Sequence, residues 1–331
     1  MLIYAGIDEA GYGPMLGPLT IGCSIFSLQD HDTTTGAPDL WSRLDHAVCR
    51  GRRDRGGRLA VDDSKKLKGA KGGRRHPLHH LERGVLAFLG STGEEADWPG
   101  ALDDIDILTR LGASVPDHPW YQGCTSLPLG EDPGLLGIAS ARLKRSMAEA
   151  GVSCHRLSCE LIDADAFNHE VGRTGNKASV NFEGVLRRVQ ELRTEFRDHD
   201  LHVVIDRQGG RTRYRQDLQY AWPDDMIQVL DEDARLCRYR LHASGSPDDA
   251  GCSITFAQGG EDRHLPIALA SMTAKYCREL LMIRMNAYFT TACPGLDPTA
   301  GYVQDARRYL QDIDGIIQER NINRDQLVRS C

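Results

Sequence analysis

An apolar run from Leu2 to Ile7 stops at a glycine- and proline-rich turn, and a second spans Leu19 to Phe26, so the chain opens as strand, turn, strand. Gly137 to Ala150 has a helical composition, and His155 to Ile162 that of a strand. From Lys177 to Phe196 the apolar Val180, Val185, Leu186, Val189, Leu192 and Phe196 recur with helical spacing, which predicts a helix burying one face. Leu201 to Asp206 then reads as a buried strand, Leu265 to Phe289 as a long helix, and another helix begins near Val303. Strands alternating with helices predict an α/β fold, a mixed β-sheet flanked by helices.

Two stretches break the pattern. Residues 29–60 mix Thr, Gly, Asp and Arg, and residues 91–135 are rich in Gly, Pro and Asp; both suit exposed insertions in one principal domain over residues 1–311. Residues 312–331 are expected to form a helical C-terminal extension. The chain shows no internal repeat and no low-complexity tract.

Composition narrows the class. Of 331 residues, 40% are hydrophobic and 26% charged, and no apolar run approaches the length needed to cross a bilayer, which argues against a membrane role. Met1 runs straight into Leu-Ile-Tyr-Ala-Gly-Ile without a basic, then apolar, leader, so a cytoplasmic protein is expected. The ten cysteines form no Cys-x-x-Cys pair or zinc-like array and are expected to be reduced thiols. A net charge of −7 argues against coating nucleic acid through bulk charge, which leaves a local basic groove as the remaining route.

Chemistry is suggested by acidic residues at the ends of buried strands. Asp8 and Glu9 close the first strand, Asp206 closes a later one, and Glu261-Asp262 form a third acidic cluster. One such Asp is more often a turn former or helix cap; three sites together point to oxygen ligands for hard divalent cations, Mg²⁺ or Mn²⁺. Carboxylates from separate strands hold two such ions about 3.5–4 Å apart. The glycines Gly11, Gly13 and Gly17 after a strand invite comparison with a dinucleotide-binding turn. That reading fails on its spacing, on Pro14 and Pro18, and on the acids that would repel pyrophosphate.

The segment Gly6 to Leu19, Gly-Ile-Asp-Glu-Ala-Gly-Tyr-Gly-Pro-Met-Leu-Gly-Pro-Leu, resembles ribonuclease HII, the type 2 ribonuclease H family, whose first strand ends in Asp-Glu-Ala-Gly-Arg-Gly-Pro followed by Gly-Pro. Four further segments follow in family order: Asp63-Ser64-Lys65-Lys66-Leu67, Val204-Ile205-Asp206, the helix from Pro266 to Met282 with Ala-Ser-Met-Thr-Ala-Lys-Tyr-Cys-Arg-Glu, and Thr299-Ala300-Gly301-Tyr302. The insertions lie outside the resemblance. It implies a ribonuclease H-like fold and an endonuclease that cuts the RNA strand of RNA/DNA hybrids, or ribonucleotides embedded in duplex DNA, with two divalent ions, leaving a 3′-hydroxyl and a 5′-phosphate.

The resemblance also assigns residues. Asp8, Glu9 and Asp206 would be catalytic metal ligands, joined by a fourth carboxylate before the Pro266 helix. Glu261 takes that place by counting back from Ala270-Ser271 and is favoured as the fourth metal ligand, whereas Asp262 keeps the family's residue type with a one-residue shift and stays open as a catalytic acid. Gly11, Tyr12 and Gly13 would read the ribose 2′-hydroxyl, which distinguishes RNA from DNA, and Tyr302 would pack on the sugar. Tyr12 departs from the family, which carries Arg or Lys there.

Lys65, Lys66 and the basic residues between Arg207 and Arg215 are candidates for phosphate contacts, with Asn176, Lys177 and Asn181 at a helix start as a further one. Glu279, where the family has Asp, is expected to be structural. A monomer is expected. The competing reading is a protein of the same fold that binds hybrids without cutting them, prompted by Tyr12 and the open fourth carboxylate.

Overall fold

The computed structural model describes residues 1–31, 36–54, 56–70, 72–92, 102–243 and 251–330. Its main sheet has seven strands: β1 (Leu2–Ala10), β2 (Leu19–Leu28), β3 (Val152–Ile162), β4 (Asp200–Asp206), β5 (Met226–Glu232), β6 (Leu236–His242) and β7 (Cys252–Ala257). They lie in the order β3-β2-β1-β4-β7-β6-β5. β1 pairs parallel with β4, and β4 parallel with β7, while the remaining neighbours are antiparallel. This is the mixed sheet flanked by helices that the alternation of patterns predicts. The hairpin of β5 and β6 escaped the pattern because β5 is exposed at all but Ile227 and so lacks a period-two apolar face.

Each face of the sheet buries its own core. Alternation along β1 sends Leu2 and Tyr4 to one face and Ile3, Ala5 and Ile7 to the other. The second face is covered by α4 (Ala164–Thr174) and α5 (Lys177–Glu195), following α1 (Ser64–Leu67), α2 (His79–Ser91) and α3 (Pro133–Glu149) in the chain. Asp163 caps α4 and Asn176 caps α5, each accepting a backbone N–H with its side chain. The first face packs α2, α3 and the long helix α6 (Leu265–Ala292), which is buried nearly all round. No helix among the described residues is long and apolar enough to cross a membrane.

Two glycines let α6 lie directly on the strands. A Cβ on Gly6 would sit 2.1 Å from the Pro266 carbonyl carbon, and one on Gly22 would sit 2.2 Å from the Ala270 oxygen. Ser24 and Thr20 line the same seam and donate to the carbonyls of Pro266 and Ala274, at 2.8 and 3.0 Å. Gly22→Ala therefore forces backbone apart and is expected to cost about 1–3 kcal/mol in urea unfolding. Gly137→Ala, in open space on α3, is expected to stabilise by about 0.5–1 kcal/mol. Equal effects of the two would refute the contact.

The stretches expected to be exposed insertions are only partly so. Within 29–60, Leu40, Trp41, Leu44, Val48 and Leu59 are buried in the first core, and within 102–135 so are Ile107, Leu108, Leu111, Trp120 and Tyr121. Their apolar residues are scattered among glycines and charges, which hides the pattern, while their burial makes them part of the core. Residues 32–35, 55 and 93–101 lie outside the described residues. Past α7 (Val303–Asp312), the short helices Asp314–Glu319 and Arg324–Leu327 bring the chain end back to the turn between β1 and β2, where Leu16 and Val328 form an antiparallel bridge.

Candidate active site

Parallel strands deliver their carboxyl ends to the same edge, and this sheet uses that edge for acids. β1 and β4 run in register with Ile7 opposite Ile205, so the chain continues into Asp8 on one strand and Asp206 on the next. β7 ends with Ala257 opposite Asp206, after which Gly259 adopts φ +62° and starts a tight turn over Gly260–Asp262. That turn brings Glu261 to the same place. Asp8, Glu9, Asp206 and Glu261 line one pocket of about 280 Å³.

The four carboxylates raise one another's pKa. Burial is the largest cause for each, and it holds Asp8 well above the ordinary carboxylate range, with Glu9, Asp206 and Glu261 adding repulsion. Glu9 is raised by burial and partly relieved by a hydrogen bond with Asn181 and by the charge of Lys65. Asp206 is raised by burial despite accepting the Gly260 N–H at 3.0 Å. Glu261 is pushed up to about 7 by burial and then by Asp206. Such a set of crowded oxygen donors fits hard divalent cations, which would relieve the repulsion.

The choice between Glu261 and Asp262 has a structural counterpart. Asp262 points outward, where its carboxylate pairs with Lys66 at 2.5 Å and its carbonyl accepts from Arg50 at 2.6 Å. It does not line the pocket with the other four acids. Lys66 is likewise engaged, with Asp62 as a second partner at 3.2 Å. Lys65 lines the pocket, and its ammonium makes no hydrogen bond or ion pair among the described residues.

The turn Gly11-Tyr12-Gly13-Pro14 forms another wall of the pocket, and Tyr302, 54% exposed, stands beside it. Gly11 has φ +86°, and a Cβ there would meet the Arg278 side chain at 2.6 Å and the Pro18 carbonyl at 2.7 Å, so glycine is required on both counts. Tyr12 brings no cation, but the Lys177 ammonium lies 5.4 Å from its ring centroid. In the other basic cluster, Arg211 pairs with Asp217 at 2.5 Å, and Arg207 donates to the carbonyls of Arg211 and Ala234. Part of that cluster is therefore turned inward to hold its own loop. Asn181 is buried beside Glu9.

Three polar side chains of the pocket carry no role in the sequence reading: Ser64, Ser271 and Lys275. Ser271 lowers the Asp8 carboxyl through a hydrogen bond, and its hydroxyl lies 3.1 Å from that of Ser64. Lys275 and Lys68 both pair with Glu279 at 2.8 Å, and Glu279 is held down to about 2 against its burial by these two lysines. Ser271, Lys275 and Glu279 follow at four-residue steps along one side of α6, a spacing already visible in the sequence.

No protein-family model matches the chain, and no curated protein does. Solved structures align over nearly its whole length. One is the PCNA:RNase HII complex from Archaeoglobus fulgidus, 13% identical over 99% of this chain and 93% of that chain, with a TM-score of 0.46. Another is ribonuclease H2 from Pyrococcus horikoshii OT3, 12% identical over 98% and 92%, also at 0.46. A third is Aquifex aeolicus RNase H3, 12% identical over 98% and 71%, at 0.42.

Proposed function

We propose that this protein is a metal-dependent endonuclease of the type 2 ribonuclease H kind, which cuts the RNA strand of RNA/DNA hybrids or a ribonucleotide embedded in duplex DNA. The observation that carries the reading is the meeting of Asp8, Glu9, Asp206 and Glu261 in one pocket walled by the Gly11–Gly13 turn. These carboxylates would hold Mg²⁺ or Mn²⁺, which when bound supplies Lewis-acid stabilisation of the charge developing on a phosphodiester. Ser271 orients Asp8, and Asn181 orients Glu9, each through a hydrogen bond. Lys65 offers a cation to a phosphate at the pocket rim, and Lys177 another beyond Tyr12. The glycine turn lets backbone approach a ribose closely, and the exposed Tyr302 ring offers a face to the neighbouring sugar. The products would carry a 3′-hydroxyl and a 5′-phosphate.

A labelled DNA duplex with one ribonucleotide, run beside a uniform RNA/DNA hybrid with Mg²⁺ and with Mn²⁺, tests this reading. Cleavage of at least one substrate, abolished by EDTA, is expected. Binding of both without cleavage of either would replace the enzyme with a hybrid-binding protein, the reading that Tyr12 prompts.

A further inference from the structure

The segment around Arg329 is tied to the glycine turn that walls the candidate site. Arg329 is 2% exposed, and its Nη2 donates to the Gly11 carbonyl at 2.5 Å and to the Pro14 carbonyl. Its backbone N–H donates to the Met15 carbonyl at 2.8 Å, next to the bridge between Leu16 and Val328. The guanidinium lies 4.9 Å from the centroid of Phe167 on α4. One residue along, Asn168 donates to the carbonyls of Asp325 and Val328 at 2.8 Å and accepts from the Ser330 N–H at 2.6 Å. The last described residues are thus tied both to a helix and to the glycine turn.

The direction of these bonds matters because a trans peptide points its N–H opposite its carbonyl. The only cis bond among the described residues is Leu127-Pro128, so both peptides gripped by Arg329 are trans. At Pro14-Met15 the consequence is visible: the carbonyl faces Arg329, and the Met15 N–H turns the other way to donate to Gly301 at 2.8 Å. At Gly11-Tyr12 the carbonyl also faces Arg329, and the Tyr12 N–H makes no hydrogen bond among the described residues. This donor is turned away from the buried guanidinium, and Gly11 and Tyr12 line the pocket.

We infer that Arg329 is a positioning residue that fixes the Gly11-Tyr12 peptide so that the Tyr12 N–H is presented to the ribose 2′-hydroxyl of a bound ribonucleotide. This rests on the ribonuclease reading above for the identity of the ligand, and on geometry alone for the clasp. One guanidinium accepted by two carbonyls sets the peptide plane more firmly than an ammonium would, because its donors are held in a rigid plane. The flanking Arg278, whose Nη2 donates to Leu16 at 2.9 Å and Ala300 at 3.1 Å, anchors the far end of the same turn.

The test uses Arg329→Met, which keeps bulk and removes the donors, and Arg329→Lys, which keeps the charge. On a DNA duplex with one ribonucleotide, Arg329→Met is expected to lose about 10²-fold in kcat while KM stays within about 3-fold, since misplacing a contact at the reacting sugar costs orientation more than binding. Arg329→Lys is expected to recover part of the rate. The rise in melting temperature on adding Mn²⁺ is expected to match wild type, and hydrogen exchange to accelerate at residues 11–16 and not in β4. Unchanged kcat overturns the proposal, and so does a lost rate accompanied by a lost Mn²⁺ response, which marks general damage to the site. If wild type cuts neither substrate, the ribonuclease reading fails separately. Exchange then decides the clasp: faster exchange at 11–16 in Arg329→Met upholds it, and unchanged exchange overturns it.

Discussion

Asp8→Asn is expected to cut no duplex and yet to melt several degrees above wild type in EDTA at pH 8. Both effects come from the same crowding. Asp8 is buried, and its carboxyl is raised by that burial and by Glu9, Asp206 and Glu261. A carboxyl with a raised folded-state pKa binds more protons folded than unfolded between its two pKa values, so stability falls as pH rises through that window. For Glu261 the window opens near the ordinary value of 4.5 and closes at about 7, so its contribution to stability is lost by pH 8. Asp8→Asn removes the buried carboxyl that burial and its three neighbours hold against ionisation, so it flattens the pH dependence and raises the melting temperature most at the alkaline end. Wild type is expected to recover the same stability when Mn²⁺ is added, more at pH 8 than at pH 5, because carboxylate ligands must be ionised to bind. Asp8→Asn loses most of that rise, and with it several kcal/mol of charge stabilisation, a rate loss of about 10³-fold or more. Calorimetry across pH 5–8 with and without Mn²⁺, beside a cleavage assay, checks both halves. A mutant that melts lower than wild type in EDTA and keeps the Mn²⁺ rise would show that Asp8 is a structural acid.

What the sequence made legible follows from how local each signal is. The acids at Asp8, Glu9 and Asp206 end apolar strands, and parallel pairing alone is enough to gather them at one edge. Counting back from Ala270-Ser271 favours Glu261 over Asp262 without deciding between them, because one residue of register depends on the left-handed Gly259 and on Lys66 and Arg50, which hold Asp262 outward. Gly6 and Gly22 leave no signal in an apolar pattern, because what excludes a side chain there is α6, distant in sequence and lying on the strands. Lys275 had a signal that was passed over, the four-residue steps from Ser271 to Glu279. Arg329 had none: its partners Gly11 and Pro14 lie more than three hundred positions away, and backbone carbonyls leave no trace in side-chain patterns.

The stretch 102–135 shows why burial is hard to read from composition, and it yields the largest stability effect expected here. Asp104 looks like one more surface acid in an Asp-rich run, yet it is fully buried, with its carboxylate accepting Nε and Nη2 of Arg284 at 2.7 Å each and the Thr125 N–H at 2.7 Å. Arg284 is buried in α6 and donates its third bond to the Tyr121 carbonyl at 2.8 Å. Two charges hydrogen-bonded on all these sides contribute little beyond an apolar pair of the same size, but removing one leaves the other stranded. Asp104→Ala is therefore expected to cost about 3–5 kcal/mol in urea unfolding. Asp104→Leu combined with Arg284→Met is expected to restore most of that loss, giving a coupling energy that neither single change shows. The Mn²⁺ response is expected to survive in the double variant, since α6 carries Ser271 and Lys275 into the pocket whatever fastens its far side. If Asp104→Ala instead unfolds within about 0.5 kcal/mol of wild type, the range of an ordinary surface change, the insertion is not pinned to α6 through this pair.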